Sequence, residues 1–287
     1  MKSATQLSWT VFAAVVFGLC SFSIFSTAQA VQGNNAVYNA SGNCTSSSCG
    51  FSGAFSDASM FFGSGSKQGS DVCDVIYKIL TGATGIPYPP NGEVIDARAL
   101  SGTALTCTKG SPWSESGAYV PQPSPSVILL PPGIISTPIA WVLPANTKLI
   151  GTTTAVANGT TPLETTIQPS GSFTFAAVVE FGDSTHCPSG CQGISVEHLT
   201  INGNGNNGLT VNGIENDNCG VQCYVDHVTL YQVLGTGLKV SGSNATDSGP
   251  YSNITFDVGN SAAASTENGG TEQACQGGCG TVFELSR

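Results

Sequence analysis

The chain repeats itself. Val196-Glu197-His198-Leu199-Thr200-Ile201 recurs 29 positions later as Val225-Asp226-His227-Val228-Thr229-Leu230, and 26 positions further on as Tyr251-Ser252-Asn253-Ile254-Thr255-Phe256. Gly208-Leu209-Thr210-Val211 and Gly237-Leu238-Lys239-Val240 form a second element with the same 29-residue step. Paired cysteines keep the rhythm, with 32 positions from Cys187 to Cys219 and 56 from Cys219 to Cys275. A period between 20 and 50 residues belongs to solenoids, propellers and arrays. Propeller blades need four strands and about 40 residues each, whereas these repeats hold short strands with a tight turn. They predict an all-β parallel coil in which each rung adds about 4.8 Å of height.

Alternation along the repeat assigns faces. Val196, Leu199 and Ile201 point inward, as do Val225, Val228 and Leu230, then Tyr251, Ile254 and Phe256. Glu197 and Asp226 point outward, and Thr200, Thr229 and Thr255 form an outward ladder. His198, His227 and Asn253 fall where the alternation changes phase. That marks a bend, and these residue types tolerate left-handed backbone angles. Composition agrees with such a coil. Only 9% of the 287 residues are charged and 36 are glycine, against typical shares of about 25% and 7%. Eight Lys plus Arg are too few for a coiled coil or helical bundle, and a net charge of −10 argues against nucleic acid.

The first 30 residues read as an export signal: Lys2, an apolar stretch from Trp9 to Phe25, then Ala28-Gln29-Ala30 as a cleavage site. No membrane span is expected after cleavage, because no other segment approaches about 20 apolar residues. Residues 31–70 read as a Gly/Ser/Asn-rich arm. Val72, Val75, Ile76, Ile79 and Leu80 then follow the spacing of an apolar helix face. Asp71 caps that helix, Asp74 suits its positive end, and Gly82 and Gly85 stop it, so it spans 71–82. Export makes disulfides the default for cysteines. Cys187–Cys191, Cys219–Cys223 and Cys275–Cys279 read as short clips, Cys44–Cys49 as another, and Cys73–Cys107 pair by elimination. The rival use of paired cysteines is zinc, whose sites more often show C-x-x-C spacing with supporting histidines. No metal site is assigned to them.

These features together resemble the secreted right-handed parallel β-helix proteins of the pectate-lyase superfamily. The resemblance runs from about residue 70 to the end. It rests on Asp71-Val72-Cys73, Val94-Ile95-Asp96-Ala97-Arg98, Gly102, Cys107, Leu130-Pro131-Pro132-Gly133, Leu149-Ile150-Gly151 and the repeats at 196, 225 and 251. It implies a solenoid over 71–287 whose short amino-terminal helix plugs one end, tied there by Cys73 and Cys107. It also implies a secreted protein, extracellular or periplasmic, directed at a polysaccharide or cell-surface glycan as a lyase or glycoside-hydrolase relative. The polygalacturonase-type motifs N-x-D, D-D, G-H-D and R-x-K are missing. Lys148 and Lys239 are the only Lys or Arg between 110 and 286, poor material for gripping a polyanion. Glycoside hydrolysis needs two carboxyls at a defined separation. Glu197 and Asp226, one rung apart, are the candidate catalytic pair, and Tyr231 and Asp257 the candidate sugar contacts. No cofactor is assigned, with a calcium or sugar contact at Glu215 and Asp217 as the alternative. A strand-like end at Val282–Arg287 without a polar cap suggests a truncated coil or a covering partner. A non-catalytic adhesion solenoid, or an inactive fragment, is the other functional reading.

Overall fold

The structure is a computed structural model. It describes residues 55–85, 92–115, 118–119, 125–154, 163–185, 187–245, 247–257 and 283–285, with backbone alone at 118–119 and 283–285. The stretch read as an export signal, His186, and the expected clips Cys44–Cys49 and Cys275–Cys279 lie outside these residues. The described chain is mostly β, with long parallel sheets and a single α-helix.

Two sheets run through shared, bent strands. The first contains β1 (Phe55–Asp57), β2 (Glu93–Asp96), β6 (Ser126–Leu129) and β9 (Thr147–Ile150). It continues into the leading halves of β12 (Ser195–Asn202), β14 (Tyr224–Tyr231) and β16 (Tyr251–Asp257). The second contains β7 (Gly133–Thr137), β10 (Thr165–Pro169) and the trailing halves of the same three strands. The third is β8 (Trp141–Leu143), β11 (Ala177–Phe181), β13 (Asn212–Asn216), β15 (Leu238–Val240) and β17 (Phe283–Leu285). From β6 onward the chain visits the three sheets in turn, and every pairing between these strands is parallel. That path is compatible with a parallel solenoid.

The apolar positions stack from rung to rung. Ile95, Ile128, Leu149, Val196 and Val225 are consecutive register partners, all fully buried, and Tyr251 continues the column. Ile135, Ile167, Ile201, Leu230 and Phe256 do the same in the second sheet. Trp141, Val179, Ile214 and Leu238 do so in the third. Burying each large side chain is worth about 1.5–3 kcal/mol, so these columns dominate the stability. His198, His227 and Asn253 carry φ of 54°, 52° and 53°. The left-handed bend therefore recurs at the expected residue on three rungs and turns each strand from the first sheet into the second. A second positive-φ corner precedes the first sheet at Gly92, Asn146, Gly193 and Gln222.

The helix α1 (Val72–Leu80) starts at the expected cap: Asp71 accepts from the Asp74 N–H at 3.0 Å. It packs on the 3-10 turn at Ala58–Phe61 and on the hairpin of β3 (Gly110–Ser111) and β4 (Ser114–Glu115), which β5 (Ala118–Tyr119) extends. Cys73–Cys107 ties α1 to the segment before that hairpin. Trp113, at the hairpin turn, meets Trp141 edge-on with centroids 5.9 Å apart.

Several expectations change. Phe55–Asp57, inside the stretch read as an arm, forms β1 and pairs in register with β2, so α1 follows a strand. The Gly208 and Gly237 elements do not pair with each other. Ile214 pairs with Leu238 instead, because a 3-10 turn at Gly205–Asn207, flanked by left-handed Asn204 and Gly208, delays the third-sheet strand. Thr200 and Thr229 are buried rather than exposed, since each is flanked on both sides by a β-branched neighbour; Thr255 is exposed.

Candidate functional site

Strand alternation builds an acidic row on the outer side of the third sheet. Val179 and Phe181 are buried, so Glu180 between them faces out; Ile214 and Asn216 are buried, so Glu215 does too. Register aligns Val142, Glu180, Glu215 and Lys239 on successive rungs. Asp183 and Asp217 follow directly after β11 and β13 and bring two more carboxyls to the same side. Burial, and then the charges of Glu215, Asp217 and Asp183, push Glu180 up to about 7. Burial and Glu215 also raise Asp217, against the pull of Lys239. Glu215 is gripped from two sides: Asn212 Nδ2 donates to its Oε2 at 3.1 Å, and Lys239 Nζ makes an ion pair with its Oε1. Neighbouring rungs thus carry one carboxyl that holds its proton near neutrality and one compensated by a cation. A carboxyl held up by burial beside a second, cation-paired one is the arrangement from which acid–base pairs are built.

The sequence-derived candidates lie elsewhere. Glu197 and Asp226 are register partners on adjacent rungs of the first sheet, as expected. Ser195 Oγ and Tyr224 Oη donate to Glu197 Oε1 at 2.8 and 2.7 Å. Asp226 accepts from Asn253 Nδ2 at 2.9 Å, Ser252 Oγ at 2.8 Å and His227 Nδ1 at 2.8 Å. Those bonds, Asn253 foremost, hold its carboxyl far below the ordinary range. Tyr231 and Asp257 are also register partners, at the end of an outward row that begins with Gln168 and Asn202. Gln232 Nε2 donates to Tyr231 Oη at 2.7 Å. These groups belong to the first and second sheets, whereas the acidic row belongs to the third. Glu180 escaped the sequence reading. Its available signal was a single outward acid in the apolar run Ala177–Phe181, together with the neighbouring Asp183.

Among the described residues one group of three ligand-type side chains lies close enough to share a metal ion. Asp71, Cys73 and Cys107 bring ligand-type atoms together, but both sulfurs are committed to the disulfide and the group anchors α1. Carboxylate oxygens at Glu215 and Asp217 are the donor type calcium takes, and Lys239 already occupies one oxygen of Glu215. The clips Cys187–Cys191 and Cys219–Cys223 are formed, and the backbone of Cys191 pairs with that of Cys219 on the next rung. The three disulfides among the described residues agree with an oxidising, non-cytoplasmic setting, and no described helix is long and apolar enough to cross a membrane. Comparison with protein-family models, with curated proteins and with solved structures found no match.

Proposed function

We propose that this chain is a secreted right-handed parallel β-helix protein related to the pectate-lyase superfamily, acting on a polysaccharide as a glycoside hydrolase. Right-handedness follows from the near-universal hand of parallel crossovers. One observation carries the activity: Glu180, pushed up to about 7, is the register neighbour of Glu215, which Lys239 pairs. Rung spacing separates such neighbours by about 5 Å, the separation of retaining enzymes. Glu180 then protonates the leaving glycosidic oxygen while the Glu215 carboxylate attacks the anomeric carbon. Water, deprotonated by Glu180, releases the glycosyl ester in the second step. Asn212 and Lys239 position Glu215 for attack. The Glu197–Asp226 pair is the competing site. Its weakness as an acid–base pair is that Asp226 already accepts three side-chain bonds.

The test is incubation of the secreted chain with neutral and acidic plant and microbial polysaccharides, with and without calcium. New reducing ends that disappear in Glu180→Gln and Glu215→Gln support the assignment. Loss in Glu197→Gln or Asp226→Asn alone moves the chemistry to the first sheet, and unsaturated products reassign it to a lyase. An adhesion solenoid is the second reading, favoured by the polar row Gln168, Asn202, Tyr231 and Asp257, which can hydrogen-bond sugar hydroxyls without chemistry. Glycan binding without turnover of any polymer establishes that reading.

A further inference from the structure

The histidines at the bends have no part in the glycan reading. His198 and His227 occupy the same position on adjacent rungs, with φ of 54° and 52°. Their rings stack with centroids 4.9 Å apart and planes 27° apart. Both are exposed, the side chain of His227 by 51%. We propose that His198 and His227 form a surface chelate for a borderline divalent transition cation, of the class of Cu2+, Ni2+ or Zn2+, with Asp226 as the group that orients His227.

The argument runs outward from Asp226. Ser252 Oγ and Asn253 Nδ2, from the next rung, both donate to its Oδ1 and fix the carboxylate. Its Oδ2 lies 2.8 Å from His227 Nδ1. With Nδ1 donating to that oxygen, Nε2 is the ring nitrogen left to bind a cation. A carboxylate behind the far nitrogen of an imidazole is the usual support of a metal-binding histidine; it fixes the tautomer and raises ligand basicity. His198 supplies the second nitrogen one rung away. Cofacial lone pairs run parallel, so chelation requires the exposed His198 ring to turn toward His227 while Asp226 keeps its hold on the latter. Water completes the coordination. Imidazole donors select Zn, Cu and Ni over calcium. Glu197, the register neighbour of Asp226, adds negative charge beside the pair.

The natural chain also supplies a clean variant. Asn253 holds this same bend at φ 53°, so His198→Asn and His227→Asn retain a residue suited to the angle, with circular dichroism as the fold check. The chain has three histidines, which leaves only His186 as background. Untagged protein is titrated calorimetrically with Cu2+, Ni2+ and Zn2+. One saturable site is expected for at least one of them, undisturbed by calcium, with two imidazole nitrogens in the Cu2+ paramagnetic resonance spectrum. Either asparagine variant should weaken binding at least tenfold, and Asp226→Asn, which keeps both ligands, by about 10–100-fold. Absence of saturable binding overturns the proposal. So does a double variant, His198→Asn with His227→Asn, that binds as tightly as the natural chain.

Discussion

The bend residues connect sequence to backbone most directly. Their left-handed angles crowd any side chain with a branched β-carbon, and histidine and asparagine tolerate them better. Replacing His198 by Val should therefore destabilise the protein by about 1–2 kcal/mol, read as a shift in denaturant midpoint, while His198→Asn should change it little. Glu180 gives a prediction of the opposite character. Its folded-state value is raised from 4.5 to about 7, by burial first and neighbouring charges second. A raised carboxyl contributes its stability at low pH and loses it as the pH climbs from 4.5 through about 7. Melting temperatures recorded across that window should fall more steeply for the natural chain than for Glu180→Gln. If Glu180 is the acid of the proposed hydrolysis, kcat/KM should show an alkaline limb near 7. Of these two positions the bend was legible in the sequence, because its cause is local: a phase change in alternation and a residue that fits the angle. Glu180 was not, because its cause is burial first and then Glu215 and Asp217, which only the register brings near it.

At the scale of elements, α1 was fully visible, since cap, apolar face and terminating glycines all lie within the segment. Its attachment was less so. Thr108 N and Oγ1 donate to Asp71 Oδ2 at 3.1 and 2.7 Å, and Lys78 and Lys109 both approach Asp74 at 3.5 Å. Burial alone would raise Asp74, but the Ser70 N–H and the two lysines outweigh it and hold the carboxyl low. A lowered carboxyl contributes stability above its unfolded value and loses it as the pH falls through the folded one. Asp74→Asn should therefore lower the melting temperature at neutral pH, and the gap to the natural chain should close as the pH drops below 3.8. The disulfides rank by loop length. In the chain-entropy account Cys73–Cys107, 34 residues apart, is worth about 4 kcal/mol and a four-residue clip about 2. Removing the former by paired alanines should cost more than removing Cys187–Cys191, measured by denaturant unfolding of both variants. The hairpin at β3 to β5 had no sequence signature, because strands of two residues carry no periodicity.

The whole molecule explains why the repeat was legible in one half of the chain and hidden in the other. Rung-to-rung spacing in the first sheet is 29 residues from Val196 to Val225 and 26 from there to Tyr251. Earlier it is 33 from Val94 to Val127, 21 from Val127 to Lys148 and 47 from Lys148 to Ser195. Corner loops of unequal length leave the stacked columns intact while erasing the sequence period. What each rung must preserve is the inward residue, not the count of residues between. The columns then predict how damage spreads. Leu149 is fully buried between Ile128 and Val196, so Leu149→Ala opens a cavity with a rung on either side and should cost about 2–5 kcal/mol. Ile254, on the last of the described second-sheet rungs, is only partly buried and should cost less when truncated. In a solenoid each repeat couples mainly to its neighbours. Hydrogen exchange in Leu149→Ala should therefore accelerate first in β6, β9 and β12, and only later in β14 and β16. Uniform acceleration across all five strands would mean that the described rungs unfold as one cooperative block, and that the nearest-neighbour picture of a solenoid does not hold for this chain.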